Sequence, residues 1–159
     1  MATDVTTTAV DKMNSLLQGE LSALETYMLA LEKVEDSRAK DILMQCHMCH
    51  SRRVDAIVEK IVSLAGKPAE NSGAWGSFAK LLEGGATVFG DKAAVSMLEE
   101  GEDRGLADYR KLATDPDLYV RELAADLLPK QEGTLKNVSR RFSSDRWPGY
   151  GCLGRRKLH

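Results

Sequence analysis

Cysteine and proline are both scarce, at three and four residues in a chain of 159. Three thiols cannot build the disulfide framework of a small secreted scaffold, so a reducing, cytoplasmic setting is the expectation. No apolar run approaches the roughly 20 residues that a membrane-spanning helix needs, so no membrane span is expected. The opening MATDVTTTAV shows no basic segment succeeded by an apolar one, so no secretory signal is expected either. Charge of one sign is also missing: the formal net charge is −2, which argues against bulk binding to nucleic acid. What remains, 43% hydrophobic and 29% charged, is the composition of a soluble globular chain long enough for one domain with a fair core.

Four long stretches carry helical periodicity, and none alternates as a strand would. The first runs from about Ala9 to Glu35, with Met13, Leu17, Leu24, Tyr27, Leu31 and Val34 on one stripe. The second runs from about Ser37 to Ala65 and stops at Gly66, with Pro68 just beyond. The third is expected from Asp91, read as an N-cap, to Ala113. The segment Thr114 to Pro116 ends it and starts the fourth, which extends to about Phe142 and should kink at Pro129. Short turns make each consecutive pair antiparallel. Between the pairs lies KPAENSGAWGSFAKLLEGGATVFGD, a connection with a short amphipathic piece (Trp75, Phe78, Leu81, Leu82) and Gly84, Gly85 and Gly90 as breakers. The expected fold is therefore all-α: a four-helix bundle of two antiparallel hairpins joined by a long crossover that carries a short helix. Residues 1–142 would form the bundle. The Gly- and Arg-rich tail 143–159 has no helical period and reads as a disordered basic tail.

Each apolar stripe is broken near its middle by a polar residue. Glu20 lies between Leu17 and Leu24, His50 between Cys46 and Val54, Glu102 between Leu98 and Tyr109, and Gln131 between Leu127 and Leu135. In antiparallel hairpins these positions share a level, so they should converge on one layer. An internal echo supports this: GELSALETY and GEDRGLADY both begin Gly-Glu and end in Tyr, so each hairpin should bring a Glu and a Tyr (Tyr27, Tyr109) to the centre. Ionised carboxylates among leucines must be paired, protonated or bound to a cation. Glu20, His50 and Glu102 could hold iron, manganese or zinc. Equally, the layer could be a hydrogen-bonded network that fixes helix register.

The string CHMCH (Cys46 to His50) has the spacing that attaches haem c, but the absence of an export signal argues against haem. Cys46, Cys49 and His50 share one helical face and could contribute to a zinc or copper site, though a helix alone rarely supplies a tetrahedral set. The plainer reading packs Cys46 in the core, leaves Cys49 at its edge and sends only His50 into the polar layer.

Several strings carry a family resemblance. LLQGELSALETYMLAL resembles the first helix of bacterioferritins and rubrerythrins, with Glu20, Ala23 and Tyr27 in the expected places. RVDAIVEKIVSLAGKP resembles the stretch after the Glu-x-x-His motif of a bacterioferritin second helix. EEGEDRGLADYR falls where the third-helix Glu belongs, and LLPKQEGTLKNV where the second Glu-x-x-His belongs. The resemblance implies a ferritin-like bundle, and its departures matter as much as its matches. The first Glu-x-x-His is occupied by His50 and Arg53, and the second by Gln131 and Thr134. A dinuclear iron site of this family needs four carboxylates and two histidines, of which only Glu20 and Glu102 stand in place. Arg53 would set a positive charge where a metal belongs, paired with Glu20 or Glu102. NSGAWGSFAKLLEGG, GDKAA and EEGEDRGL together resemble a bacterial family of stand-alone ferritin-like bundles classed as a domain of unknown function. The expectation is a non-enzymatic structural or stress-associated protein with a degenerate metal site. The alternative is a metal-binding protein or metal-dependent oxidase using Glu20, His50 and Glu102. A homodimer is the expected assembly.

Overall fold

The structure, a computed structural model, describes residues 2–141, without the side chains of 2–5, 75, 77–79, 81–93 and 141. It contains helices α1 (Ala2–Lys33), α2 (Ser37–Ser63), α3 (Ser77–Leu112) and α4 (Leu118–Arg141), with a one-turn 3-10 helix at Gly73–Gly76. Helix α1 packs on α2 and α3, and α4 packs on α3 and α2, which is the square section of a four-helix bundle. The tail from 143 onward and the side chains of Trp75, Phe78, Leu81 and Leu82 lie outside the described residues.

Local chemistry sets the turns. Asp36 caps α2 by accepting a hydrogen bond from the Ala39 amide at 2.8 Å. Asp117 does the same for α4 through the Val120 amide at 3.1 Å. Helix α2 closes with a hydrogen bond from Gly66 N to Ile61 O of 2.9 Å, and the left-handed residue in that turn is Ala65, with φ of 57°. Gly66 is needed for a different reason: a Cβ there would lie 2.7 Å from Cγ2 of Val10, so the turn packs directly on α1.

The crossover then climbs along α1. Asn14 donates from its side chain to Lys67 O at 3.0 Å and accepts from the Ala69 amide at 2.7 Å. Higher up, the Ser72 hydroxyl donates to Glu25 at 2.9 Å. Helix α3 begins at Ser77, not at Asp91, and runs through Gly84, Gly85 and Gly90, so these glycines are not breakers. A helical glycine costs only about 1 kcal/mol relative to alanine, and no proline stands between Ser77 and Leu112 to remove a backbone donor. Helix α4 likewise continues through Pro129.

The interior divides into two apolar clusters. One, towards the α1–α2 turn, holds Tyr27, Ala30, Val34, Leu43, Cys46 and Leu98. The other, towards the α3–α4 turn, holds Met13, Leu17, Ile57, Ile61, Tyr109 and Leu127. A band of buried polar side chains lies between them.

Candidate functional site

That band is built from all four helices. Glu20 of α1, His50 and Arg53 of α2, Glu102 of α3, and Gln131 and Thr134 of α4 are all buried. His50 bridges the carboxylates, with Nδ1 at 2.7 Å from Glu20 Oε2 and Nε2 at 2.8 Å from Glu102 Oε1. Arg53, with 0% of its surface exposed, donates from Nε to Glu20 Oε1 at 2.8 Å. Its Nη2 donates to Gln131 Oε1 at 2.8 Å, and its Nη1 points at Cys49 Sγ at 3.5 Å. Gln131 returns two hydrogen bonds to Glu102, to the backbone oxygen at 3.0 Å and to Oε2 at 2.8 Å. The Thr134 hydroxyl donates to the same Oε2 at 2.9 Å.

The tyrosines cross over. Tyr27 of α1 donates to Glu102 at 2.5 Å, and Tyr109 of α3 donates to Glu20 at 2.6 Å. Each hairpin's phenol therefore serves the other hairpin's carboxylate, which requires α1 and α3 to run antiparallel. Hydrogen bonds to charged groups contribute about 1.5–3 kcal/mol each. Tyr27→Phe and Tyr109→Phe should each lower the unfolding free energy by an amount of that order, read from urea denaturation. A loss indistinguishable from zero in both would mean that the phenols are not bound to the carboxylates.

The charge states are set by these contacts. Burial alone would raise the Glu20 pKa, but His50 and Arg53 bring it down to about 2. Glu102 is likewise held below its usual value by His50, with Tyr27 and Arg53 contributing, against the cost of burial. Burial pushes His50 down and the two carboxylates overcome it, leaving the imidazole raised. Burial, reinforced by Glu102 and Glu20 respectively, pushes Tyr27 and Tyr109 well above the ordinary phenol value, so both remain donors.

One close contact has to be reconciled with a protonated His50: Arg53 Nη2 lies 2.6 Å from Nδ1 and 3.3 Å from Nε2. An in-plane hydrogen bond to the Nδ1 lone pair would leave the donor much farther from Nε2, across the ring. The guanidinium nitrogen therefore lies over the ring face, and both in-plane N–H directions are free to meet the carboxylates. An imidazolium satisfies both carboxylates at once, and two anions then face two cations.

Of the CHMCH residues, Cys46 is in the apolar core, where burial and the nearby Glu102 push its thiol up to about 12. Cys49 is half-buried beside Arg53, and both ring nitrogens of His50 are committed to Glu20 and Glu102. Both described cysteines are free thiols. Among the described residues, Cys46 and Cys49 form no metal-holding group with His50. Thr134 stands out in the sequence only as the occupant of a family position. Its spacing of i+3 from Gln131 is the signal that it shares the layer.

The six positions that hold metal in the resembling families are thus occupied by Glu, His, Arg, Glu, Gln and Thr, bonded to one another. This set does not fit a dinuclear metal centre: two carboxylates are missing, and a guanidinium stands among the remaining donors. Among the described residues, no group of three or more His, Cys, Asp or Glu side chains is arranged to hold a metal ion.

Fold and layer together define a ferritin-like four-helix bundle. The chain belongs to the family described as Domain of unknown function (DUF2383), which matches residues 8–115. Among solved structures it is similar to a dodecameric thioferritin, the bacterioferritin-related protein from Bacteroides fragilis. The identity is 19%, the match covers 85% of this chain and 84% of that one, and the TM-score is 0.70. At that identity the likeness speaks to the fold alone. No curated protein matches the chain. Among the described residues, no helix is long and apolar enough to cross a membrane.

Proposed function

We propose that this chain is a non-enzymatic ferritin-like bundle, a cytoplasmic structural or stress-associated protein whose degenerate metal site is held together by its own charges. The observation that carries the reading is Arg53, wholly buried and bonded to Glu20 and Gln131 at 2.8 Å each. A guanidinium there meets an incoming divalent cation with direct repulsion and competes with it for the Glu20 carboxylate. Homo-oligomeric assembly, with a homodimer as its smallest unit, draws support from the dodecamer of the similar Bacteroides fragilis protein. Light scattering after gel filtration measures it.

A second reading, a metal-binding protein or metal-dependent oxidase at Glu20, His50 and Glu102, is favoured by the approach of one imidazole to both carboxylates, at 2.7 and 2.8 Å. Metal content separates the two. After expression in medium replete in iron, manganese and zinc, elemental analysis of the purified chain should find each metal far below one per chain. Glu20→Ala and Glu102→Ala should lower stability without changing that content. A stoichiometric metal lost in either variant would overturn the proposal in favour of the second reading.

A further inference from the structure

The seam between α1 and α3 holds a cavity of about 60 Å³. Its two walls are related by the internal echo of the sequence. Leu16 pairs with Leu98, Gly19 with Gly101 and Ala23 with Gly105, at one constant offset along the chain. Glu20 and Glu102, and then Tyr27 and Tyr109, continue at the same offset, and His50 and Gln131 reach the floor from the other two helices. The cavity therefore has pseudo-two-fold symmetry. Small residues leave room along the seam: a Cβ at Gly19 would meet no atom within 4 Å, whereas one at Gly105 would lie 2.8 Å from Nε2 of Gln131.

Its polar floor has little to offer a polar guest. Both tyrosine hydroxyls, both ring nitrogens of His50 and the Arg53 guanidinium are already committed within the layer. Thr26, on the α1 wall, spends its hydroxyl on Ser22 O at 2.7 Å. A water molecule here finds no side-chain donor in the layer to accept from, only some remaining acceptor lone pairs. Most of the remaining wall is leucine, alanine, glycine and aromatic carbon, with Ser22, Arg104 and Asp108 also lining the cavity, which is partly open to solvent. At its inner end, where leucine, alanine and glycine stand over the saturated floor, the cavity favours an apolar occupant over water.

We propose that this cavity is a binding site for an apolar, gas-sized guest, a molecule of the dimensions of xenon or dioxygen, seated over the Glu20–His50–Glu102 layer. The site is defined by the α1 and α3 walls, and its test does not read metal content. Methyl NMR spectra recorded at stepped xenon pressure provide that test. The expected result is shifts that saturate with pressure at the methyl groups of Leu16, Ala23 and Leu98. Gly19 lines the cavity, and a Cβ built there meets no atom within 4 Å. Gly19→Leu should therefore fill the space and abolish the saturable shifts. Gly19→Ala, which a helix accepts readily, should weaken them several-fold while keeping native helicity, so the test survives if the leucine variant misfolds. Shifts that rise linearly with pressure in the wild type, or that saturate unchanged in the filled variants, would overturn the proposal. So would resident water at the Ala23 methyl with no saturable response to xenon.

Discussion

Arg53→Met is expected to lower the unfolding free energy by about 3–5 kcal/mol, the usual effect of removing one partner of a buried ion pair. Methionine fills most of the volume, so the loss reports the charge and its hydrogen bonds more than a cavity. Without the guanidinium, Glu20 keeps only His50 and Tyr109, Gln131 Oε1 loses its donor, and two carboxylates share one imidazolium. Domains are commonly stable by about 5–15 kcal/mol, so such a loss would consume much of the total. The double variant Arg53→Met with Glu20→Gln should recover part of it, because both charges leave together. Urea denaturation of the four species closes the cycle. A single-variant loss below about 1 kcal/mol, the range of exposed ion pairs, would contradict the role assigned to Arg53.

Stability should be greatest in a window of mildly acidic pH. Glu20 falls from 4.5 to about 2 on folding, so its contribution is fully present above about 4.5 and is lost as pH drops towards 2. That drop corresponds to about 3 kcal/mol, at about 1.4 kcal/mol per pH unit. Glu102 shifts in the same direction and adds to the same loss. His50 moves the other way: its raised value makes its contribution complete below about 6.5 and lost as pH rises through the folded value. The unfolding midpoint should therefore be flat between about pH 4.5 and 6.5 and decline on both sides. In His50→Gln the alkaline decline should disappear. An unaltered alkaline limb in that variant would assign the titration to another group.

Much of the layer is legible in residue spacing. Glu20, His50, Glu102 and Gln131 each interrupt an apolar stripe, and a buried polar residue in a helix needs partners wherever the neighbouring helices place them. The echo between GELSALETY and GEDRGLADY marks both tyrosines. Which carboxylate each phenol serves depends on how the hairpins dock, and periodicity within one helix carries no information on that. The start of α3 is hidden for a local reason. Gly84, Gly85 and Gly90 are poor helix formers and Asp91 is a good cap, so propensity favours a later start, whereas helix α3 forms from Ser77. The end of α2 falls close to where Gly66 suggests, but a different residue makes the turn. Ala65 adopts the left-handed conformation, and Gly66 makes room for Val10. The α1–α3 cavity is equally hidden, since a small residue on a helix reads as a gap only once its opposite wall is known.

The proposed reading is that Arg53 and a protonated His50 balance the buried carboxylates of Glu20 and Glu102 at the centre of this bundle. The protonation of His50 tests that balance most directly, through the ring-nitrogen chemical shifts of the ¹⁵N-histidine-labelled protein at about pH 5.5, below the ordinary imidazole value. Both His50 nitrogens should carry protons, with each coupling across its hydrogen bond to Glu20 or Glu102. A neutral ring, with one bare nitrogen facing a carboxylate or a bound metal, would contradict it.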